Sequence, residues 1–310
     1  DAKSKQVSTW NLKKIPADVS GVLFVGVVKT VDLSAAGVAN SYMASVKETN
    51  YLFDVMHKGD GSPLATDHLG VIWKSASGLV QYLQMENGKA SFYIGADTED
   101  SNKILKGNAV IGAYDANDEL IWSWHVWVTD APQTMTYGNG TVFMDRNLGA
   151  AGTTAGGTDA YGMYYQWGRK DPFYGGEKTE TSANAFLEAK NGTVVNPAYP
   201  ALDWAFSKSA TTTDGAAANP MTFYNDKVGT GYNWLASPNA TLWGEAKTLN
   251  DPCPPGYRVP ETGAWEDLIS GRQYIDGVSV WDGTNYGMTY THGGQTAWYP
   301  AQGYRNYSSG

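Results

Sequence analysis

The strongest structural indication in the sequence is the stretch Leu79-Val-Gln-Tyr-Leu-Gln-Met-Glu86, Asn87-Gly88, Lys89-Ala-Ser-Phe-Tyr-Ile94. An Asn-Gly pair favours a two-residue type I′ turn, because both central positions of that turn need a positive φ. The segments on either side contain the apolar and aromatic residues that strands favour. We therefore predict a β-hairpin that turns at residues 87–88.

A second hairpin is predicted from Gly107–Tyr114 and Leu120–Val128, joined through Asp115–Asp118. Because alternate residues of a strand point to opposite faces, we divide the second strand into a core face and an opposite face. The core face carries Trp122, Trp124, Val126 and Val128, and the opposite face carries Ser123, His125 and Trp127. The connection lacks the Gly and the distal Glu of a calcium loop, so we interpret it as a polar turn.

The segment Gly21–Val31 is rich in β-branched residues and is predicted to be a central strand. Several short strands with turns between them, and no convincing helix, indicate a mainly β fold that begins with an antiparallel β-sandwich. This strand pattern ends near Thr129–Thr134. We predict a β-sandwich assembly domain over residues 1–134 and a second domain over residues 135–310.

Composition excludes several classes of function. Lys and Arg number 22 and Asp and Glu 31, a formal net charge of −9, so no broad basic surface is expected for nucleic acid or anionic lipid. The longest apolar run, around Gly21–Val28, is far shorter than a membrane helix. The single cysteine, Cys253, cannot form an internal disulfide and is interpreted as a small buried residue. The four histidines are scattered without ligand spacing, so neither a metal nor a cofactor is predicted.

The second half is crowded with Gly, Asn, Tyr and Trp, and we expect irregular backbone held by buried aromatic side chains. Polar loops are predicted over residues 175–181 and 207–219. One helix is predicted near Ser182–Lys190. A second is predicted after Pro260, with Thr262 as its cap.

Four motifs follow one another in this half: Val142–Gly149, Tyr161–Arg169 with Asp171-Pro-Phe173, Asp251–Pro260, and Pro300–Arg305. The series resembles the Fibrobacter major paralogous domain, a family found in bacterial surface proteins. The resemblance implies an α+β domain of the C-type lectin-like fold. In that family a last aromatic strand normally follows the fourth motif, whereas this sequence stops at Gly310. Disorder, trimming and a short natural variant would all give the same sequence pattern.

The first half, with Gly107–Ile111 leading to Trp122–Trp127, is similar to the fimbrillin/transthyretin-like domain that often precedes this module. Chains of this kind resemble tip adhesins of Bacteroidetes fimbriae. The resemblance implies export as a lipoprotein precursor whose targeting segment is removed, display on the cell surface, and docking to a stalk pilin by strand complementation. Val7–Leu12 would lie at or near the open sheet edge.

The candidate ligand-binding residues are Tyr274, Trp281, Asp282, Asn285 and Tyr286. Sugar rings stack on exposed aromatic side chains while amide and carboxylate groups bind hydroxyls, so a glycan or a protein ligand is expected. Two alternatives are that the rings fill the core and that Asp282-Gly283 is only a turn.

The sequence thus predicts a non-enzymatic adhesin at the tip of a surface fimbrium. The first alternative is a surface glycan-binding lipoprotein of a polysaccharide uptake system. An enzymatic alternative is a glycosidase or a sulfatase-maturation activity. No catalytic residue is assigned, because sequence alone cannot place two carboxylates at a catalytic separation.

Overall fold

The computed structural model describes residues 28–174, 205–226, 229, 231–264, 274–275, 278–279 and 281–302. Strand makes up 39% of the structure and helix 4%, which confirms a mainly β protein. Gly21–Val27 and the helix predicted at Ser182–Lys190 lie outside the described residues. The helix predicted after Pro260 is described only as far as a turn at Thr262–Ala264.

The first eight strands are β1 (Lys29–Asp32), β2 (Ser41–Ala44), β3 (Thr49–Asp54), β4 (His68–Lys74), β5 (Gln81–Glu86), β6 (Lys89–Ile94), β7 (Gly107–Tyr114) and β8 (Leu120–Val128). They form two four-stranded sheets, in the orders β1-β3-β6-β5 and β2-β8-β7-β4. The described end of the strand predicted at Gly21–Val31 is β1, which lies at a sheet edge and not at a centre.

Both predicted hairpins are present. Asn87 and Gly88 have φ values of 51° and 73°, as a type I′ turn requires, and Glu86 pairs with Lys89. The β7–β8 pair is antiparallel as predicted. In the connection, Asp115 Oδ1 accepts from the backbone N–H groups of Asn117 and Glu119 at 2.8 and 3.0 Å, which confirms a polar turn.

The expectation of wholly antiparallel pairing is wrong at two places. The pairs β1–β3 and β2–β8 are both parallel. Between β1 and β3 the chain passes through β2, which belongs to the other sheet, and a crossover of this kind brings neighbouring strands into the same direction. Both sheets are therefore mixed.

The two sheets contribute side chains to one hydrophobic cluster. Phe53 of β3 stacks on Tyr42 of β2, with ring centroids 4.7 Å apart. Its ring centroid lies 5.4 Å from that of Trp124 of β8. All members of the face that we assigned to the core, Trp122, Trp124, Val126 and Val128, lie in this cluster. The period-two interpretation of β8 is confirmed.

Beyond residue 130 the strands are short: β9 (Thr134–Thr136), β10 (Val142–Met144), β11 (Met163–Tyr164), β12 (Phe173–Tyr174), β13 (Ala205–Ser207), β14 (Thr222–Tyr224), β15 (Tyr274–Ile275), β16 (Val278–Ser279), β17 (Trp281–Asp282), β18 (Gly287–His292) and β19 (Gln295–Pro300). They pair as five small sheets, and the largest is β17-β18-β19. A 3₁₀ turn spans Thr158–Ala160. Within the described ranges, no helix has the length and apolar character needed to cross a membrane.

A short helix, α1 (Thr213–Ala218), lies inside the segment expected to be a polar loop, so that expectation is wrong. Thr212 caps the helix by accepting from the backbone N–H of Gly215 at 3.0 Å. The alanines that follow favour helix, and Ala216 and Ala217 are buried. The polar composition concealed a local helix-forming pattern.

The opposite face of β8 is also buried, by residues that follow position 134. Trp127 is fully buried, and its Nε1 donates to the carbonyl of Ala150 at 3.0 Å. On β7, Asn108 Nδ2 donates to the carbonyl of Gly149 at 2.9 Å. The boundary at residues 134/135 stays a prediction, and the segments on its two sides pack closely along these strands.

Candidate functional site

The predicted ligand-binding residues lie around the turn between β17 and β18. Asp282 Oδ1 accepts from the backbone N–H groups of Thr284 and Asn285, both at 3.0 Å, and Asp282 Oδ2 accepts from Asn285 Nδ2 at 2.7 Å. The hydrogen bond from the Asn285 backbone is the main cause that lowers the pKa of Asp282. Asp282 and Asn285 therefore stabilise the turn, which agrees with the turn interpretation of Asp282-Gly283.

The two aromatic side chains of this turn are exposed. Trp281 is 42% exposed and Tyr286 is 49% exposed, so these two rings do not fill the core. Tyr274 lies on β15, which pairs with β16 in a separate two-stranded sheet, and its side chain is outside the described part of the chain. The structure thus brings four of the five predicted residues into one turn.

A second exposed aromatic site was not predicted. Trp167 is 52% exposed, and its ring centroid lies 5.7 Å from that of Trp243, with the two ring planes inclined by 55°. Trp167 belongs to the Tyr161–Arg169 motif, whereas Trp243 lies between motifs. Sequence gave no basis for pairing two residues so far apart along the chain.

Local backbone contacts hold this aromatic pair, Trp167 and Trp243, in place. Gly168 has a φ of +80°, and a Cβ at that position would lie only 2.8 Å from Cβ of Leu242. Glycine therefore allows the turn after Trp167 to approach the chain next to Trp243. The carbonyl of Trp167 accepts from Trp234 Nε1 at 2.7 Å, and Trp243 Nε1 donates to the carbonyl of Asn250 at 2.9 Å.

Arg169, two residues after Trp167, points into the protein and is almost fully buried. Its guanidinium donates to the carbonyls of Thr222, Asn219 and Ala216 at 2.6, 2.8 and 3.3 Å. Two of these carbonyls lie at the C-terminal end of α1, where a cation is favoured. Desolvation lowers the pKa of Arg169, and the charge of Asp171 opposes that effect.

The next two residues link the second half of the chain to β8. Lys170 Nζ donates to Oγ of Ser123 and to Oδ1 of Asp171, both at 2.6 Å, and lies 4.4 Å from the ring centroid of Trp122. Desolvation lowers the pKa of Lys170, while Asp171 raises it. A serine next to a lysine can act as a nucleophile, but here all three polar side chains are buried and Ser123 donates to Asp171 at 2.7 Å. The arrangement is suited to joining elements and gives a substrate no access.

His125, on the same face of β8 as Ser123, belongs to a second buried set of hydrogen bonds. Its Nε2 lies 2.8 Å from Oδ1 of Asn108, whose own amide donates to Gly149, so Nε2 carries the proton and donates. Its Nδ1 is then the acceptor, 3.3 Å from Oγ of Ser41. Desolvation lowers the pKa of His125 to about 3, and the ring is neutral near pH 7. We call these two sets together, Ser123 with Lys170 and Asp171 and His125 with Asn108, the buried seam.

The Asp251–Pro260 motif is organised by a buried carboxylate. Asp251 Oδ1 accepts from the backbone N–H of Cys253 and from Lys247 Nζ, both at 2.8 Å, and Oδ2 accepts from the backbone N–H of Val259 at 2.9 Å. The Cys253 side chain is buried, as predicted, and desolvation raises the pKa of its thiol well above the ordinary value. No cluster of three or more metal-ligating side chains occurs among the described residues.

Residues of three of the four motifs meet at Gln302. Asn147 Nδ2 donates to the carbonyl of Tyr161 at 3.2 Å and lies 3.4 Å from Oε1 of Gln302. The Tyr164 hydroxyl donates to the carbonyl of Gln302. Three of the four motifs are thus in contact, and the family resemblance itself stays a prediction. Comparisons with protein-family models, with curated proteins and with solved structures find no significant match to this chain.

Proposed function

We propose that the chain is a non-enzymatic fimbrial tip adhesin, in which a β-sandwich anchors the protein and a C-type lectin-like module contacts a glycan or protein ligand. The observation that carries the proposal is the distribution of exposed aromatic side chains. Among the described residues, Trp167, Tyr232, Trp281 and Tyr286 are exposed beyond residue 134, against Tyr82 before it. Exposed aromatic residues are typical of recognition surfaces, because covering them with a ligand makes the free energy of binding more favourable.

The first eight strands support the anchoring role. Two sheets that share one core are the arrangement of a sandwich. Each sheet ends in edge strands, namely β1 and β5 in one and β2 and β4 in the other. An edge strand can accept a further strand from a neighbouring chain through backbone hydrogen bonds. The segment Val7–Leu12, predicted to lie near such an edge, is outside the described residues.

The buried seam supports binding over catalysis as the function of the second half. Its ionisable groups lie inside the protein: Lys170 binds Asp171 and the carbonyl of Ser123, and His125 binds Asn108. The exposed aromatic residues lie in loops, in turns or, for Trp281, in a two-residue strand, and hydrogen bonds hold these segments in place, for example at Trp167 and Asp282. A rigid surface of this kind loses little conformational freedom when it binds.

The proposal is tested by electron microscopy of cells that carry the full chain, with gold-labelled antibodies against an epitope within residues 205–302. We expect label at the free ends of surface fibres, and loss of cell adhesion when the gene is deleted while the fibres remain. Label spread evenly over cells, independent of fibres, would contradict the tip position and favour the polysaccharide-uptake lipoprotein.

A further inference from the structure

We infer that Trp167 and Trp243 form a binding platform for a neutral sugar ring. The inference deepens the proposed function, because it names a ligand class and a site for the adhesion that we propose. It assigns binding to this aromatic pair and not to the turn that carries Trp281 and Tyr286.

The geometry of the pair is suited to a pyranose ring. The ring centroids are 5.7 Å apart and the planes are inclined by 55°, so the two indoles are tilted and not stacked face to face, and Trp243 is half-buried. Trp167 keeps 52% of its surface exposed. The C–H groups on one face of a sugar can pack against such rings, while its hydroxyl groups remain directed to water or to polar neighbours.

The platform exists before a ligand arrives. The carbonyl of Trp167 is bound to Trp234 Nε1, and Trp243 Nε1 is bound to the carbonyl of Asn250. Gly168, which could not carry a Cβ without meeting Leu242, brings the two tryptophans together. Since both positions are fixed, little conformational entropy is lost on binding, which favours small ligands that offer few contacts.

The charges around the platform favour a neutral ligand. Glu245, two residues after Trp243, is exposed and is the one charged residue in the sequence from 231 to 246. Nearby cations are engaged elsewhere: Lys247 Nζ binds Asp251 Oδ1 at 2.8 Å and the carbonyl of Cys253 at 2.6 Å, and Arg169 is buried. Among the residues that the structure describes, a sulfated or sialylated glycan would therefore meet the carboxylate of Glu245 while Lys247 and Arg169 are already engaged.

The surroundings favour a sugar over a protein surface. The loop before Trp243 exposes small or polar residues over 236–241, and Asn239 Oδ1 holds it by accepting from the N–H and hydroxyl of Thr241 at 2.9 and 2.8 Å. Stable protein interfaces cover about 800 Å² on each partner and have an apolar centre. Two indoles rimmed by polar groups are closer in size to one sugar unit.

The test uses the full chain and an array of neutral, sialylated and sulfated oligosaccharides, followed by calorimetric titration with the best neutral binder. Trp167→Ala should weaken binding about tenfold or more, as expected when one stacking aromatic is removed, and Trp167→Phe should recover most of it. The matched control, Tyr82→Ala, removes an exposed aromatic side chain from β5 in the first half and should stay within about twofold of the parent chain. Thermal melting should show that all three variants are folded.

Three results would overturn the inference and leave the adhesin proposal standing. These are binding of charged glycans only, loss of binding in Trp281→Ala but not in Trp167→Ala, and a protein ligand whose capture depends on Trp167 while no neutral glycan binds. Conversely, Trp167-dependent sugar binding by a chain that labels no fibres would support the inference and contradict the tip adhesin.

Discussion

At the scale of single residues, β8 shows what sequence can and cannot specify. Alternation along the strand correctly separates the side chains of Trp124 and His125 onto opposite faces. It does not reveal that the face with His125 is buried too, because the covering residues, such as Gly149 and Ala150, come from the second half of the chain. The strand pattern alone therefore does not show that a histidine is buried; the covering element must be known as well.

Burial of His125 predicts a pH dependence of stability. In the unfolded chain this histidine binds a proton below about pH 6.5, whereas in the folded protein its pKa is lowered to about 3. Between these values the unfolded state holds one more proton, so the free energy of unfolding falls as the pH falls, by about 1 kcal/mol per pH unit.

Urea unfolding at pH 7.5, 6.0 and 5.0 should show that the free energy of unfolding falls more steeply with decreasing pH for the parent chain than for His125→Asn. The asparagine has no proton to bind at that position. Carboxylate groups contribute to both chains alike and cancel in the difference. Parallel pH profiles would show that His125 is not held neutral.

Arg169 predicts a substitution effect in the interior. Its guanidinium binds carbonyls of Thr222 and Asn219 in directions that a lysine ammonium cannot reproduce together. Arg169→Lys should lower the free energy of unfolding by about 2 to 4 kcal/mol, measured by urea titration at pH 7.5.

The matched control for this substitution is Arg258→Lys. Arg258 is exposed, and its Nη2 lies 3.5 Å from Oε1 of Glu261. Its replacement should lower the free energy of unfolding by less than about 0.5 kcal/mol. Equal losses for the two variants would contradict the interior role of Arg169.

At the scale of elements, the two hairpins follow from local chemistry and the rest does not. Asn87-Gly88 is sufficient for its turn because the positive φ values are a property of the two residues themselves. The parallel pairing of β2 with β8 joins residues about eighty positions apart, and no local rule contains that information. Helix α1 could have been found from Thr212 and the alanines, which its polar neighbours obscured.

The candidate site divides in the same way. The turn around Asp282 and Asn285 could be predicted because an Asp-Gly turn is local. The exposure of Trp281 could not, since the same residue type is buried at Trp127. The contact between Trp167 and Trp243 depends on the tertiary fold, and no local sequence pattern predicts it.

The hairpin turn predicts a difference between two glycine substitutions. Gly88 has a φ of +73°, and a Cβ there would lie 2.8 Å from Cγ of Met56, whereas Gly61 has a φ of +81° and open space around it. Gly61→Ala carries conformational strain of about 1 kcal/mol. Gly88→Ala carries the same strain together with the cost of displacing Met56, so its total should reach about 2 kcal/mol or more.

Thermal and urea unfolding of the two glycine variants gives the comparison directly. We expect the lower stability in Gly88→Ala, with the difference reduced when Met56 is also shortened to Ala. If Gly61→Ala were the less stable of the two, the close packing of the hairpin turn against Met56 would be refuted.

At the scale of the whole molecule, the second half is joined to the first eight strands by polar groups as well as by apolar packing. Lys170 and Asp171 bind Ser123 of β8, and Asn40 Nδ2 donates to the carbonyl of Asp251 at 2.9 Å. Buried polar groups depend strongly on their partners, so separating the halves would leave several of them unsatisfied. We therefore expect the part that carries the exposed aromatic residues to unfold together with the part proposed to anchor it.

The most direct measurement of this coupling is differential scanning calorimetry of the full chain at pH 7.5. We predict one transition whose calorimetric enthalpy equals its van't Hoff enthalpy, because the buried seam makes the two halves one cooperative unit. Two resolved transitions, with the first eight strands melting separately from the residues that follow, would contradict it.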